Sequence, residues 1–351
     1  MADIHHQLAL FGSDTLIEQA LEDGDQKRAD QIRTAAAMMQ PPTEEELSFL
    51  HSGLCQTGLP HSRPSDDSRA WVRRNGNIRL VVTPGWGSAR ETDEPKPIGV
   101  PYGTRARLIM IYLQSEGVKS RTIPLGRSMS AWIKSLGLTV NGGPRGSITS
   151  IKTQVQRIAN CQLKLEWDTV DHQGRLIGEN MQQSHIVRGL SMWADTPGRE
   201  TWPSEVELTT EFHDHLREHA VPLDSRAIAE LSETSLGLDV YAFLAYRLPK
   251  LDKPVKLPWI ALMTQFGAHY GRVADFAKRM RPVLQHVQLV YPDANIEQAD
   301  GGLILKPSKP AIKRSKSGYS GLNLPTRPAD RAEGQGQRTT KRVAPLGTRR
   351  P

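Results

Sequence analysis

The sequence predicts an α+β protein made of two winged-helix units in tandem, a pseudo-repeat with flexible extensions at both ends. Three observations carry this. An order of helix, strand, helix, helix and strand pair occurs twice, Gly and Pro punctuate its boundaries, and the first copy coincides with a folded, strongly basic stretch.

Residues 1–69 read as an acidic, partly helical or disordered extension. Within it, Asp14 to Met39 is rich in Ala, Glu, Gln and Leu and is stopped by Gln40-Pro41-Pro42. Residues 51–69 are poor in bulky apolar groups and read as a linker. The first winged-helix unit is assigned to residues 70–200 and opens with a hairpin around Asn75-Gly76, where Ile78, Leu80 and Val82 alternate after the turn. An exposed edge there invites pairing across a two-fold axis, so a homodimer in equilibrium with monomer is expected.

Thr104 to Ser115 is apolar enough for a buried helix, Arg121 to Leu125 for a short strand, and Ser128 to Leu136 for a second helix capped by Ser128. After the Gly-rich run 141–146, Ser147 caps a third helix reaching about Asn160. Leu163 to Val170 and Arg175 to Met192 complete the unit as antiparallel strands. The second unit, residues 201–306, repeats the order: Leu236 to Leu248, Val255 to Leu257, Pro258 to Phe266, Arg272 to Leu289, and strands around Gly301-Gly302. Residues 307–351 form a basic, disordered tail.

Charge is arranged in blocks. Between Pro101 and Lys164 ten Lys and Arg face one acid, Glu116, a net +9 within a folded segment. A large anion relieves such repulsion, and double-stranded DNA is the expected partner. Residues 1–75 carry a net −5 and residues 200–239 a net −8, so those blocks are not DNA surfaces.

In the third helix, Ile148, Ile151, Val155, Ile158 and Ala159 share one face, leaving Thr149, Ser150, Thr153, Gln156, Arg157 and Asn160 opposite. Gln, Asn and Arg pair with base edges, and Ser and Thr hold phosphate. The DNA-binding set is Arg145, Ser147, Thr149, Lys152, Thr153, Gln156, Arg157 and Asn160, joined in the second unit by Arg272, Lys278, Arg281 and Gln285. Pro282 is expected to kink that last helix.

Several chemistries lack their residues. The run Gly142 to Ser147 lacks the Lys-Ser/Thr ending of a nucleotide-phosphate loop. His213-Asp214-His215 and His5-His6 do not make a strand-nicking metal pair, and His185 with Arg188 is a chance match to a recombinase motif. Cys55, His51 and His61 are too scattered for a metal site. Tyr241, Phe243, Leu244 and Tyr246 read as core, with Arg247 reaching the surface. No enzyme activity, cofactor or metal is expected. Two distant cysteines and the absence of an apolar run of about 20 residues point to a cytoplasmic protein with no membrane partner.

The chain resembles the RepA family of plasmid replication initiators over roughly residues 70–310. The residues that carry the resemblance are the Asn75-Gly76 hairpin, VPYGTRARLIMIYL (100–113), the SLGL…GGPRGSI run (135–148) and Ile158 to Leu165. Further along they are Trp202, LGLDVYAFLAYRL (236–248) and VYPDANIEQADGGLILKPSKP (290–310). The resemblance implies paired winged helices that bind direct repeats (iterons) at a plasmid origin and assist opening of the adjacent AT-rich duplex. It further implies recruitment of the host initiator and the replicative helicase or its loader, and self-repression as a dimer. Arg145, Lys152, Thr153, Gln156 and Arg157 carry over, as do Arg272, Lys278 and Arg281. The alternative reading is a winged-helix transcriptional repressor without a replication role.

Overall fold

The computed structural model describes residues 4–88, 94–144, 146–170, 176–189, 195–196, 199–200, 203–314 and Leu324. Most of the basic tail, together with Arg145 and Trp202, therefore lies outside the described residues.

The chain begins with three helices, α1 (Ile4–Phe11), α2 (Ser13–Glu22) and α3 (Gln26–Met38). The continuous helix expected from Asp14 to Met39 is interrupted at Gly24, whose φ of 72° only glycine adopts readily. Asp25 then restarts the helix by accepting the Arg28 N–H at 2.9 Å. Leu8, Leu16, Ala20, Ala29, Ile32 and Ala35 bury one another in a small core, against which Leu289 packs from a distant helix.

There follow β1 (Leu47–His51), α4 (Ser52–Thr57), the hairpin β2 (Trp71–Asn75) and β3 (Ile78–Thr83), and a second hairpin, β4 (Gly85–Ser88) and β5 (Pro95–Gly99). Next are α5 (Gly103–Gly117), β6 (Thr122–Pro124), α6 (Met129–Ser135), α7 (Ser147–Asn160), β7 (Gln162–Val170), β8 (Leu176–His185) and β9 (Val187–Gly189). Short strands β10 (Asp195–Thr196), β11 (Arg199–Glu200) and β12 (Glu205–Leu208) lead to α8 (Thr210–His219), β13 (Ala220–Asp224) and α9 (Ser225–Glu230). The last group is α10 (Ser235–Arg247), β14 (Val255–Pro258), α11 (Trp259–Phe266), α12 (Val273–Val290), β15 (Ile296–Ala299) and β16 (Gly302–Leu305). The fold is thus mixed α and β with open sheets, and helix, strand, helix, helix, hairpin occurs once as α5 to β8 and again as α10 to β16.

In the first unit the sheet order is β2-β3-β7-β8, so the leading hairpin and the strand pair after α7 are one surface. Asn75 pairs with Ile78, which makes Gly76 and Asn77 the turn residues, one position later than the Asn75-Gly76 turn read from sequence. In the second unit β14 pairs with β16 and β16 with β15. Thr234 caps α10 through the Gly237 N–H, and Ser128 caps α6 through the Ala131 N–H. Pro282 sits inside α12, which runs on to Val290.

Residues 51–60 are not a linker. Leu54, Cys55 and Leu59 are buried, and β1 lies antiparallel to β13 from Leu47↔Asp224 to His51↔Ala220, every residue of both strands being buried. The N–H groups on the other edge of β1 are satisfied from α5, where Gln114 Oε1 accepts from His51 and Ser115 Oγ from Phe49, at 2.7 and 2.8 Å. That requirement explains why Gln114 and Ser115 are buried on α5. One apolar core runs from Met38 to Leu324 through both units.

Candidate nucleic-acid interface

Half of the ten cations of the basic block are neutralised from within the protein. Arg107 meets Asp239, Arg121 meets Glu207, Arg157 meets Asp67, Lys164 meets Glu166 and Lys119 meets Glu116. Two of these carboxylates, Glu207 and Asp239, come from the acidic stretch 200–239, and Asp67 comes from the acidic amino-terminal stretch. The alternation of charge along the sequence therefore folds into ion pairs, and a smaller set of cations is left to face solvent.

Two of that set, Arg127 and Lys134, lie at α6, beside α7. Ile151, Val155 and Ile158 hold α7 in the core, as its periodicity predicts. Thr149, Gln156 and Asn160 are exposed and Lys152 and Thr153 half-buried. At 100° per residue these five positions occupy about 100° of the helix circumference. Thr149 donates to the Gly143 carbonyl and Thr153 to the Thr149 carbonyl, both at 2.9 Å, while Asn160 donates to the Gln156 carbonyl at 2.8 Å. Arg127, just before α6, and Lys134, in its last turn, are exposed, and among the described residues no carboxylate pairs with either. Neither was chosen from sequence, because nothing in a charge count separates a solvent-facing cation from a paired one.

Two members of the sequence-predicted set sit elsewhere. Arg157 does not face outward: it is buried, with Nη1 donating to the Val100 carbonyl at 2.9 Å and Nη2 to Asp67 Oδ1 at 3.0 Å. Its guanidinium also lies 5.1 Å from the centre of the Tyr102 ring. The neighbouring Gln154 is buried too, accepting the Tyr102 N–H at 2.9 Å. The β4–β5 hairpin and the segment around Asp67 pack on this flank, widening the buried arc beyond its apolar residues. Ser147 is buried and is no cap; Gly146 takes the N-cap position, while Ser147 Oγ accepts the Asn141 N–H at 2.8 Å and pins the Gly-rich turn to α7.

Gly85 and Gly99 explain how the hairpin approaches so closely. A Cβ on Gly85 would overlap Asn160, and one on Gly99 would overlap Arg157 and Asp67. Gly99 has φ 83°, so only glycine meets both demands.

In the second unit, Arg272, Lys278, Arg281 and Gln285 are all exposed. Lys278, Arg281 and Gln285 form one stripe of α12, since they are spaced by three and four residues. Arg281 lies 5.5 Å from the Trp259 ring centre, and Arg272 Nε 4.0 Å from Asp275. The inner face of α12 includes Phe276, Met280, Leu284 and Val287. In α10, Tyr241 is core, its hydroxyl accepting the Asp224 N–H at 2.9 Å, and Arg247 is exposed. Among the described residues no helix is long and apolar enough to cross a membrane.

Residues 100–259 match the family described as plasmid encoded RepA protein. No curated protein matches. Solved structures similar to this chain include a selenomethionine derivative of domains 2 and 3 of RctB and the RctB domains 2-3. The first has a TM-score of 0.45 at 10% identity, covering 75% of this chain and 99% of that one. The second has 0.43 at 11%, covering 72% and 96%.

Proposed function

We propose that this chain, similar to plasmid encoded RepA protein over residues 100–259, is a plasmid replication initiator that binds double-stranded DNA at the origin with two winged helices in tandem. The observation that carries the reading is the carboxylate-free stripe of α7, Thr149, Lys152, Thr153, Gln156 and Asn160, flanked by exposed Arg127 and Lys134. Gln156 and Asn160 have the amide donors and acceptors that discriminate base edges in a major groove. Lys152, Arg127 and Lys134 supply phosphate contacts, and Arg272, Lys278, Arg281 and Gln285 on α12 form the second reading surface. The pairing of β14 with β16 supports the winged-helix reading of the second unit, because the strand after the first helix joins the wing.

Recognition of direct repeats, assistance in opening an AT-rich duplex, recruitment of the host initiator and helicase or its loader, and a monomer–dimer equilibrium belong to the same proposal. So do the absence of enzyme activity and the division into units at residues 70–200 and 201–306, with the tail from 307 adding nonspecific affinity.

A gel-shift titration of the full chain on DNA flanking its own gene, at two salt concentrations with random competitor, tests it. Stepwise complexes on direct repeats that survive competitor are expected. Gln156→Ala should cost about 1–3 kcal/mol on the specific site and relax its sequence preference, whereas Lys152→Ala weakens all DNA alike. A single complex on one promoter palindrome would favour a repressor, and loss of every complex to competitor would remove sequence-specific recognition altogether.

A further inference from the structure

A cleft of about 570 Å³ opens between the two units, a size typical of small-molecule sites. Its walls come from several elements: Trp167 from β7 of the first unit, Tyr246, Arg247 and Gln265 from α10 and α11 of the second, with His51 from the end of β1 and His215 from α8. Nothing in the DNA-binding surface uses these residues.

Three features define what would fit. The walls are aromatic and flat: Trp167 and His215 stack with ring centres 5.7 Å apart, and the half-buried Tyr246 ring stands on the opposite unit. The hydrogen-bonding groups are fixed in place. His51 Nδ1 accepts the Gly53 N–H at 2.9 Å, so its proton is on Nε2 and is donated to His215 Nδ1 at 2.9 Å. Gln265 is buried and donates Nε2 to the Gln56 carbonyl at 2.7 Å, which orients its amide and leaves the carbonyl oxygen as an acceptor. Finally, the lining contains no carboxylate, while Arg247 and the Nε2–H of His215 contribute donors.

A planar, hydrogen-bonding heteroaromatic ring carrying negative charge satisfies all three demands. We propose that the inter-unit cleft binds a free nucleotide, the base taken between the aromatic walls and the Gln265 amide and the phosphate drawn to Arg247. Aromatic faces accept any base, so the site discriminates by its amide groups and by charge. A ligand held by both units would brace the junction that the shared core and the Arg107–Asp239 pair already form.

Isothermal titration of the full chain with AMP, ADP, ATP and dTMP, alongside a ten-nucleotide poly-dT strand, tests the proposal. One saturable site for at least one free nucleotide is expected, weakened tenfold or more by Trp167→Ala and by Arg247→Glu and unchanged by Gln156→Ala. Because Trp167 also packs in the sheet, the exposed Arg247→Glu variant decides if Trp167→Ala fails to fold. Absence of saturable binding by all four nucleotides, binding indifferent to Arg247→Glu, or binding of the single strand alone would each overturn the proposal. None of these outcomes depends on repeat recognition in the gel shift, so the two readings fail separately.

Discussion

Arg107 on α5 and Asp239 on α10 form a bidentate pair, Nε and Nη2 each 2.6 Å from a carboxylate oxygen, that ties the first unit to the second. The same guanidinium donates to the carbonyls of Leu59, Pro60 and Gly103 at 2.6 to 3.0 Å. One buried side chain thereby organises α5, α10 and the turn after α4.

Removing either partner strands the other in a dry environment. Arg107→Ala should cost about 3–5 kcal/mol in urea unfolding, because a buried carboxylate and three carbonyls lose their donor. Asp239→Asn keeps an acceptor and should cost less. Equal, small losses for both would show that the pair is solvated and the junction loose.

Arg157 and Gln156 are neighbours with opposite roles. Arg157→Ala should lower stability by about 1.5–3 kcal/mol through loss of charge-assisted hydrogen bonds to Asp67 and Val100. Gln156→Ala, on the exposed face, should leave the urea midpoint within error and change only DNA binding. If Arg157→Ala proves as stable as the parent yet loses specific DNA, the buried position of its guanidinium is not the one that matters for binding.

Gly99→Ala separates backbone strain from collision. Gly99 and Gly137 both have positive φ, 83° and 76°, so alanine at either pays about 1–2 kcal/mol for a left-handed conformation. A Cβ at Gly137 meets open space, whereas one at Gly99 meets Arg157 and Asp67. Gly99→Ala should therefore lower the melting temperature distinctly more than Gly137→Ala. Matching shifts in the two variants would mean the β4–β5 hairpin yields freely beside α7.

Element order was legible in the sequence because it rests on local signals: apolar period, Ser128 at a cap, Gly and Pro at boundaries. The burial of α7 was legible for Ile151, Val155 and Ile158 for the same reason. Arg157 was not, since its carboxylate partner, Asp67, lies ninety residues earlier and a helical wheel sees one helix alone. The run 51–60 read as a linker because its core contacts are few and small, Leu54, Cys55 and Leu59, and its strand partner β13 lies far along the chain. The inter-unit cleft has no sequence signature, because its walls are brought together by the Arg107–Asp239 junction and the shared core.

Two partly buried histidines should make the fold sensitive to acid. Burial pushes His61 down to about 4 from an ordinary 6.5; the nearby Asp239 opposes this but is already held by Arg107, so burial prevails. Burial, helped by the charge of His219, pushes His215 down to about 4 as well. Both are neutral in the folded protein and take up protons more readily once unfolded. Their contribution to stability is complete above about pH 6.5 and is lost as pH falls toward 4. Allowing for the partial exposure of His215, the urea free energy should fall by about 1–2 kcal/mol per pH unit in mid-window. His61→Gln, which can still bond the Ser235 hydroxyl that His61 Nδ1 contacts at 2.9 Å, should flatten that slope by about half without abolishing folding. A slope between pH 6.5 and 4 that is unchanged when His61 and His215 are both replaced by Gln would assign the acid sensitivity to other groups.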